Sequence, residues 1–229
     1  MSSFDPTAMP LHSIADEAPI ALESLTVDYV RKRFKQDLVW QTEPTAEAAM
    51  NRSGVFRPAA VLIPLVVREQ GLQVLLTQRA AHLHHHAGQI SFPGGRVDEG
   101  DQSSLHTALR EAEEEVGLDP QQVEILGELP EYRTGTGFSV IPIVALVHPP
   151  LILRSDPFEV AEIFEVPLQF LMNPAHHQRR EVEIPANSSF AGAGRRQFYA
   201  MPYQDYFIWG ATAGMLRNLF HFLRAPIPD

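Results

Sequence analysis

The chain has 229 residues, of which 45% are apolar and 20% charged: enough for one generous domain with terminal additions, and too apolar for wholesale disorder. Eighteen Lys and Arg against 28 Asp and Glu give a net charge of −10, which argues against a nucleic-acid partner; a phosphorylated small molecule stays open, because divalent metal can sit between carboxylates and phosphate oxygens. No cysteine, no basic N-terminal leader and no apolar run of roughly 18 residues together exclude disulfides and a cysteine nucleophile and lead to the expectation of a cytoplasmic protein without membrane contact.

Residues 1–22 are polar, proline-bearing and aperiodic, and read as a flexible tail. A helical extension is expected over 23–54. Ser24 can cap a helix whose Leu25, Val27, Val30, Phe34 and Leu38 partly follow helical spacing, with Arg31, Lys32, Arg33 and Lys35 either solvated or in contact with phosphate. The remainder, 55–229, reads as one mixed α/β domain. Residues 59–67 and 72–77 are two apolar, β-branched runs separated by Glu69, Gln70 and Gly71, which predicts a hairpin. Further strands are expected at 88–92, 123–129, 140–147 and 161–166. The segment 172–198 reads as a long loop or irregular hairpin, and 207–223 as a closing helix.

The stretch from Gly94 to Leu118 carries the chemistry. Ser103 or Ser104 can cap a helix that Gly117 would end, and Leu105, Ala108, Leu109, Ala112 and Val116 fall in one apolar arc. With Leu105 at zero, Glu111 and Glu115 lie at roughly 240° and 280° on the helical wheel, beside the buried arc rather than opposite it. Like charges four residues apart repel, and the C-terminal half of a helix disfavours negative charge. A hard cation would remove both conflicts. The turn Pro93-Gly94-Gly95 in front lets backbone approach a ligand and can offer the Gly95 carbonyl as a further metal ligand.

These residues resemble the Nudix box. The run from Arg110 to Leu118, REAEEEVGL, matches its second half, and Gly95, followed by five residues and then Asp101, matches its opening. The usual pattern has Glu at that acid and seven residues before the Arg; here eight intervene. Upstream, Leu75 to Gly95, with LLTQR, then GQ, then FPGG, is similar to the added signature of the coenzyme A pyrophosphatase branch. Ala80 stands where that branch commonly has Ser, and His84 where it commonly has Arg. Weaker similarity continues through 134–142, 159–167 and 208–213.

The resemblance implies an α/β/α sandwich around a mixed β-sheet, with helices added at both ends. It implies an enzyme that hydrolyses a nucleoside diphosphate derivative with Mg²⁺ or Mn²⁺, and a small-molecule nucleotide partner of the coenzyme A class. Glu111, Glu115 and the Gly95 carbonyl are the expected metal ligands. Glu114 is expected as a further ligand or proton acceptor, and Arg110 as an orienting cation. A later acid is expected as general base: Glu159 in preference to Glu162, unless both are surface acids. Arg79 is the expected phosphate contact. Thr134 and Gly137 line a substrate loop or simply make a turn, and Arg195 and Arg196 either take a 3′-phosphate or are ordinary loop charge. The aromatic residues from Phe198 to Trp209 stack a base or pack internally. A zinc site at His82, His84, His85 and His86 has poor ligand spacing and no thiolate. Two other readings stand beside the first: hydrolysis of ADP-ribose, NADH or a dinucleoside polyphosphate, and a nucleotide sensor with little catalysis. A homodimer is left open.

Overall fold

A computed structural model describes residues 5–45, 47–51, 53–83, 88–184 and 194–227. In chain order the elements are β1 (Leu11–Ile14), α1 (Val27–Arg33), β2 (Arg57–Arg68), β3 (Gly71–Arg79), β4 (Ile90–Ser91), β5 (Gly94–Arg96), α2 (Ser104–Val116), β6 (Val123–Glu128), β7 (Tyr132–Arg133), β8 (Phe138–Val147), β9 (Val160–Pro167), α3 (Leu168–Leu171), β10 (Gln178–Ile184), β11 (Gly194–Tyr203), β12 (Tyr206–Trp209) and α4 (Gly210–Arg224).

The larger sheet has the path β4-β3-β2-β8-β6, with β9 added to β3, β5 to β2 and β7 to β8. It is mixed. Strands β2 and β8 run parallel from Arg57 opposite Phe138 to Val66 opposite Val147, while β3 and β6 flank them antiparallel. Both faces of this sheet are covered, which is why 59–67 reads as a continuous apolar run instead of an alternating one. Ala60, Leu62 and Val66 pack with Ala108, Ala112 and Val116 of α2 on one face. Ala59, Ile63 and Leu65 pack with Leu216, Leu219 and Phe220 of α4 on the other. The result is the α/β/α sandwich that the resemblance implied.

Helix α2 begins and ends where its own residues dictate. The Ser103 hydroxyl accepts the His106 N–H, and Gly117 closes the helix in the left-handed conformation at φ 67°. The hairpin β2–β3 turns through Gly71 at φ 107°.

A second, antiparallel sheet of order β1-β10-β11-β12 lies beyond α4, and its formation corrects three expectations. The segment expected as a loop or irregular hairpin supplies β10 and β11, a regular ladder from Gln178 opposite Ala200 to Ile184 opposite Gly194. The tail expected to be flexible contributes β1, paired with β10, and Ala15 N–H bonds the His177 carbonyl. The closing helix starts later than expected, because residues 206–209 form β12. Tyr206 of β12 stacks on Phe164 of β9, with ring centroids 3.6 Å apart, and this ties the two sheets together.

The N-terminal helical extension is also shorter than its apolar spacing suggested. Thr26 caps it and it ends at Arg33. Of the basic cluster there, Lys32 and Lys35 are exposed as a solvated face would have them, but Arg31 and Arg33 are not. Arg31 pairs with Glu124 at 2.7 Å, and the buried guanidinium of Arg33 donates to the Phe222 and Ala225 carbonyls at the C-terminal end of α4. Among the described residues, no helix is long and apolar enough to cross a membrane.

Candidate active site

The candidate site forms where the C-terminal half of α2 meets β5 and the end of β3. Glu115 is 5% exposed. One of its oxygens accepts the Gly94 N–H at 3.1 Å, and the other lies 4.0 Å from Arg79 Nη1. Burial pushes this carboxyl up to about 8; the Gly94 N–H opposes the shift, and the charges of Glu111 and Glu159 add to it. Glu111, one helical turn earlier, is also raised by burial, against the pull of Arg110 at 2.8 Å. Glu159 is exposed and contributes like charge to both. Its backbone is fixed by the Ala80 N–H, which donates to the Glu159 carbonyl at 2.8 Å and so locks the loop before β9 onto the end of β3.

Two glycines make this approach feasible. A Cβ on Gly95 would stand 2.5 to 2.6 Å from the Glu111 carboxyl atoms, so only glycine lets that carboxylate lie against the strand. Gly94 adopts φ 152°, and a Cβ there would run into the Ala60 carbonyl and stand 2.6 Å from Val61 Cα. Gly94 therefore delivers the N–H that binds Glu115, and Gly95 the space in which Glu111 rests.

Arg110 is fully engaged with protein. Its Nε and Nη2 grip Asp101 at 3.0 and 2.9 Å, Nη2 also donates to the Arg96 carbonyl, and Nη1 meets Glu111 and Glu114 at 2.8 and 3.0 Å. The bidentate guanidinium, together with the Asp98 N–H and the Thr107 hydroxyl, holds the almost fully buried Asp101 carboxylate well below the usual range. The extra residue between Asp101 and Arg110 is absorbed without loss of this pairing.

The expected residues separate into two groups. Glu111, Glu115, Gly95, Glu159 and Arg79 come together. Glu114 meets Arg110 and adds like charge to Glu111, but its side chain is 60% exposed. Glu162 turns elsewhere and accepts the Tyr206 hydroxyl at 2.8 Å. Thr134 and Gly137 belong to the β7–β8 turn: the Thr134 hydroxyl accepts the Phe138 N–H and shares a bond with Thr136, and Gly137 supplies the left-handed residue at φ 85°. Among the described residues no hydrogen bond or ion pair joins them to the acidic cluster. His82 is exposed. His84, His85 and His86 lie outside the described residues, so the zinc reading does too. Sequence reasoning missed the role of Gly94, for which the Pro-Gly-Gly turn was the available signal.

The acidic cluster fits a hard divalent cation. Glu111 and Glu159 both lie near enough to act on the buried Glu115 carboxyl as like charges, Arg79 stands 4.0 Å from Glu115, and glycine has cleared the strand for Glu111. The tighter convergence lies elsewhere: among the described residues, Glu17, Glu43 and His221 form the group whose potential ligand atoms all lie within 4.8 Å of one another, which the carboxylates of Glu111, Glu115 and Glu159 do not. There the cation is already present: Arg217 Nη2 reaches Glu17 at 2.5 Å, Glu43 at 2.6 Å and His221 at 3.2 Å. This group is a polar core that fastens the N-terminal segment to α4, and no single sequence window hinted at it.

The NUDIX domain family matches residues 56–184, and the chain belongs to the Nudix family of hydrolases. It is 41% identical over 198 residues to a protein of Escherichia coli O139:H28 described as "Uncharacterized Nudix hydrolase NudL", covering 86% of this chain and 94% of that one. A Salmonella typhimurium protein of the same description is 42% identical over 196 residues, at 85% and 93% coverage. Among solved structures, the Nudix hydrolase RenU of M. smegmatis is 26% identical, with a TM-score of 0.44, over 56% of this chain and 84% of that one.

Proposed function

We propose that the protein hydrolyses the pyrophosphate bond of coenzyme A or its derivatives, giving 4′-phosphopantetheine and adenosine 3′,5′-bisphosphate. The observation that carries the reading is the joined stretch from Leu75 to Gly95, with LLTQR, GQ and FPGG leading directly into the Nudix box. The position of Arg79 supports it, since this member of the stretch lies 4.0 Å from Glu115.

In this reading Glu111, Glu115 and the Gly95 carbonyl hold Mg²⁺ or Mn²⁺. When bound, such an ion supplies charge neutralisation for the diphosphate oxygens and lowers the pKa of water. The remaining chemistry falls to the chain. Arg79 pairs with a phosphate oxygen and orients the diphosphate. Glu159, exposed at the edge of the cluster, accepts a proton from the attacking water. The water oxygen joins one phosphorus, and the bridging oxygen leaves with the other phosphate. Arg110 keeps the Glu111 carboxylate in place, and Glu114 stands by as an outer acid. The protein acts in the cytoplasm on this reading.

The direct test is incubation of purified protein with coenzyme A and millimolar Mg²⁺ or Mn²⁺, with products followed by anion-exchange chromatography. The two named products are expected, and absence of turnover removes the substrate assignment. Ala80 and His84, which depart from the branch signature, favour a second reading in which ADP-ribose, NADH or a dinucleoside polyphosphate is preferred. Side-by-side kcat/KM values decide between them.

A further inference from the structure

Between the second sheet, the segment around Glu43 to Glu47 and the start of α4 lies a cavity of about 340 Å³, within the size range of small-molecule sites. Its walls include Arg179, Arg195, Arg196, Tyr199, Tyr132 and Gly210. Strand alternation explains the cluster. Arg195, Gln197 and Tyr199 occupy alternate positions of β11 and share one face, and Arg179 sits directly opposite Tyr199 on β10. Arg217 of α4 lies over the Tyr199 ring, with its guanidinium carbon 4.8 Å from the centroid, so this is the face that meets α4.

Arg179 is held in place but not saturated, and its charge also acts on the Glu17 carboxylate. Its Nε donates to the Tyr199 hydroxyl at 2.7 Å, which fixes the plane of the guanidinium. Among the described residues, no hydrogen bond involves its two terminal nitrogens. Arg195 is 75% exposed, with a long 3.6 Å pairing to Glu181. The acids on the wall are already engaged: Glu43 is held by Arg217 and His221, and Glu47 accepts the Tyr132 hydroxyl. Among the described residues no side-chain capping bond is made at Trp209, the N-cap of α4, whose positive end at Gly210 borders the cavity.

We infer that this cavity receives a terminal phosphate group, gripped by Arg179 and Arg195 at the uncapped end of α4. A planar guanidinium whose two terminal nitrogens carry no hydrogen bond among the described residues matches two oxygens of a phosphate monoester. That phosphate has two sources. It can belong to the substrate, as the 3′-phosphate of coenzyme A, an assignment that rests on the function proposed above. The Thr212 hydroxyl in the first turn of α4 bonds the Ile90 carbonyl at 2.9 Å, and Ile90 is four residues ahead of Gly94. The chain between those residues spans at most about 13 Å, so the α4 wall stands close to the acidic cluster. Alternatively, the phosphate arrives on a separate molecule.

The test titrates full-length, metal-free protein with adenosine 3′,5′-bisphosphate, and with adenosine as the phosphate-free control, by calorimetry. The bisphosphate is expected to bind and adenosine not. Arg179→Ala is expected to weaken the bisphosphate by roughly tenfold to a hundredfold, the usual loss for a charge-assisted hydrogen-bond pair. Arg195→Ala, at a largely exposed side chain, serves as the second variant should Arg179→Ala fail to fold. Wild-type protein that ignores millimolar bisphosphate, or folded variants that bind it as wild type does, would overturn the inference. Kinetics then separate the sources. A fall in kcat/KM for coenzyme A, with 3′-dephospho-coenzyme A unaffected, identifies the substrate's own phosphate. Unchanged turnover of both, with bisphosphate binding lost, identifies a separate ligand. If wild type cleaves no coenzyme A, the substrate assignment falls and the titration alone still judges the cavity.

Discussion

Replacing Gly95 with alanine separates the cost to the fold from the cost to the site. The new methyl would begin 2.5 Å from Glu111 Cδ, whereas ordinary contact starts near 3.4 Å, so one side must yield by about 1 Å. The strand cannot yield, because Gly95 is paired opposite Ala60 in β2. The Glu111 side chain can, since the clash is with its far end. Its retreat weakens the 2.8 Å pairing with Arg110, which costs about 1 kcal/mol in a half-buried setting. The variant should therefore fold, with a thermal midpoint a few degrees lower. The functional loss is much larger, because displacing a reacting constellation by about 1 Å costs roughly a hundredfold in rate. Mn²⁺ affinity from electron paramagnetic resonance and kcat/KM at saturating metal are the measurements. A folded Gly95→Ala protein with wild-type Mn²⁺ affinity and turnover would refute the placement of Glu111 at the metal. Gly94→Ala provides the contrast: its clash is with β2 backbone, at a φ that disfavours any side chain, so the fold itself should fail.

Glu115→Gln should keep the fold and lower hydrolysis by at least roughly two orders of magnitude, as expected when an ion that activates water is lost; unchanged turnover at any metal concentration contradicts the assigned role. Buried His177 should stay neutral well below its ordinary range. Burial pushes it down to about 4, aided by Arg217 and His176, while the Leu171 carbonyl and Glu17 oppose the shift. The folded protein then binds fewer protons than the unfolded chain between about pH 6.5 and 4, so this group's stability is complete above 6.5 and drains as pH falls. Between pH 6.5 and 5, above most carboxylate titration, the loss is roughly 2 kcal/mol. Imidazole ¹⁵N shifts should show His177 unprotonated at pH 5.5, and a midpoint near 6.5 would discard the argument. Arg33→Met should cost about 2 kcal/mol in urea unfolding, because the Phe222 and Ala225 carbonyls lose their donor; a neutral result would mean that solvent satisfies both.

The acidic helix was legible because everything that defines it is local. Ser103, the apolar arc and Gly117 lie within fifteen residues, and the repulsion between Glu111 and Glu115 is written in their spacing. The strands β2 and β8 were legible because a sheet buried on both faces leaves unbroken apolar runs. The second sheet was not legible. Leu11 pairs with Arg180 across most of the chain, and β1 buries no residue fully, so neither its composition nor its alternation announces it. Arg33 looked like one of four solvated cations because its partners are backbone carbonyls near the C-terminus, which have no side-chain signature. For Thr134 the sequence left a substrate loop and a plain turn open, because turn residues and loop ligands share the same chemistry; the bond from the Phe138 N–H places it in the turn and leaves the ligand reading untested.

The family match ends at Ile184, before α4 begins. A fragment trimmed to 56–184 would retain the acidic helix and the strands around it, yet strip the lid from Ile63, Leu65, Val144 and Leu146. Water would then wet a full side of the central sheet, and such fragments should clump on release from the ribosome. Anyone miniaturising this catalyst has to carry the final helix along, together with the N-terminal acids that neutralise its Arg217.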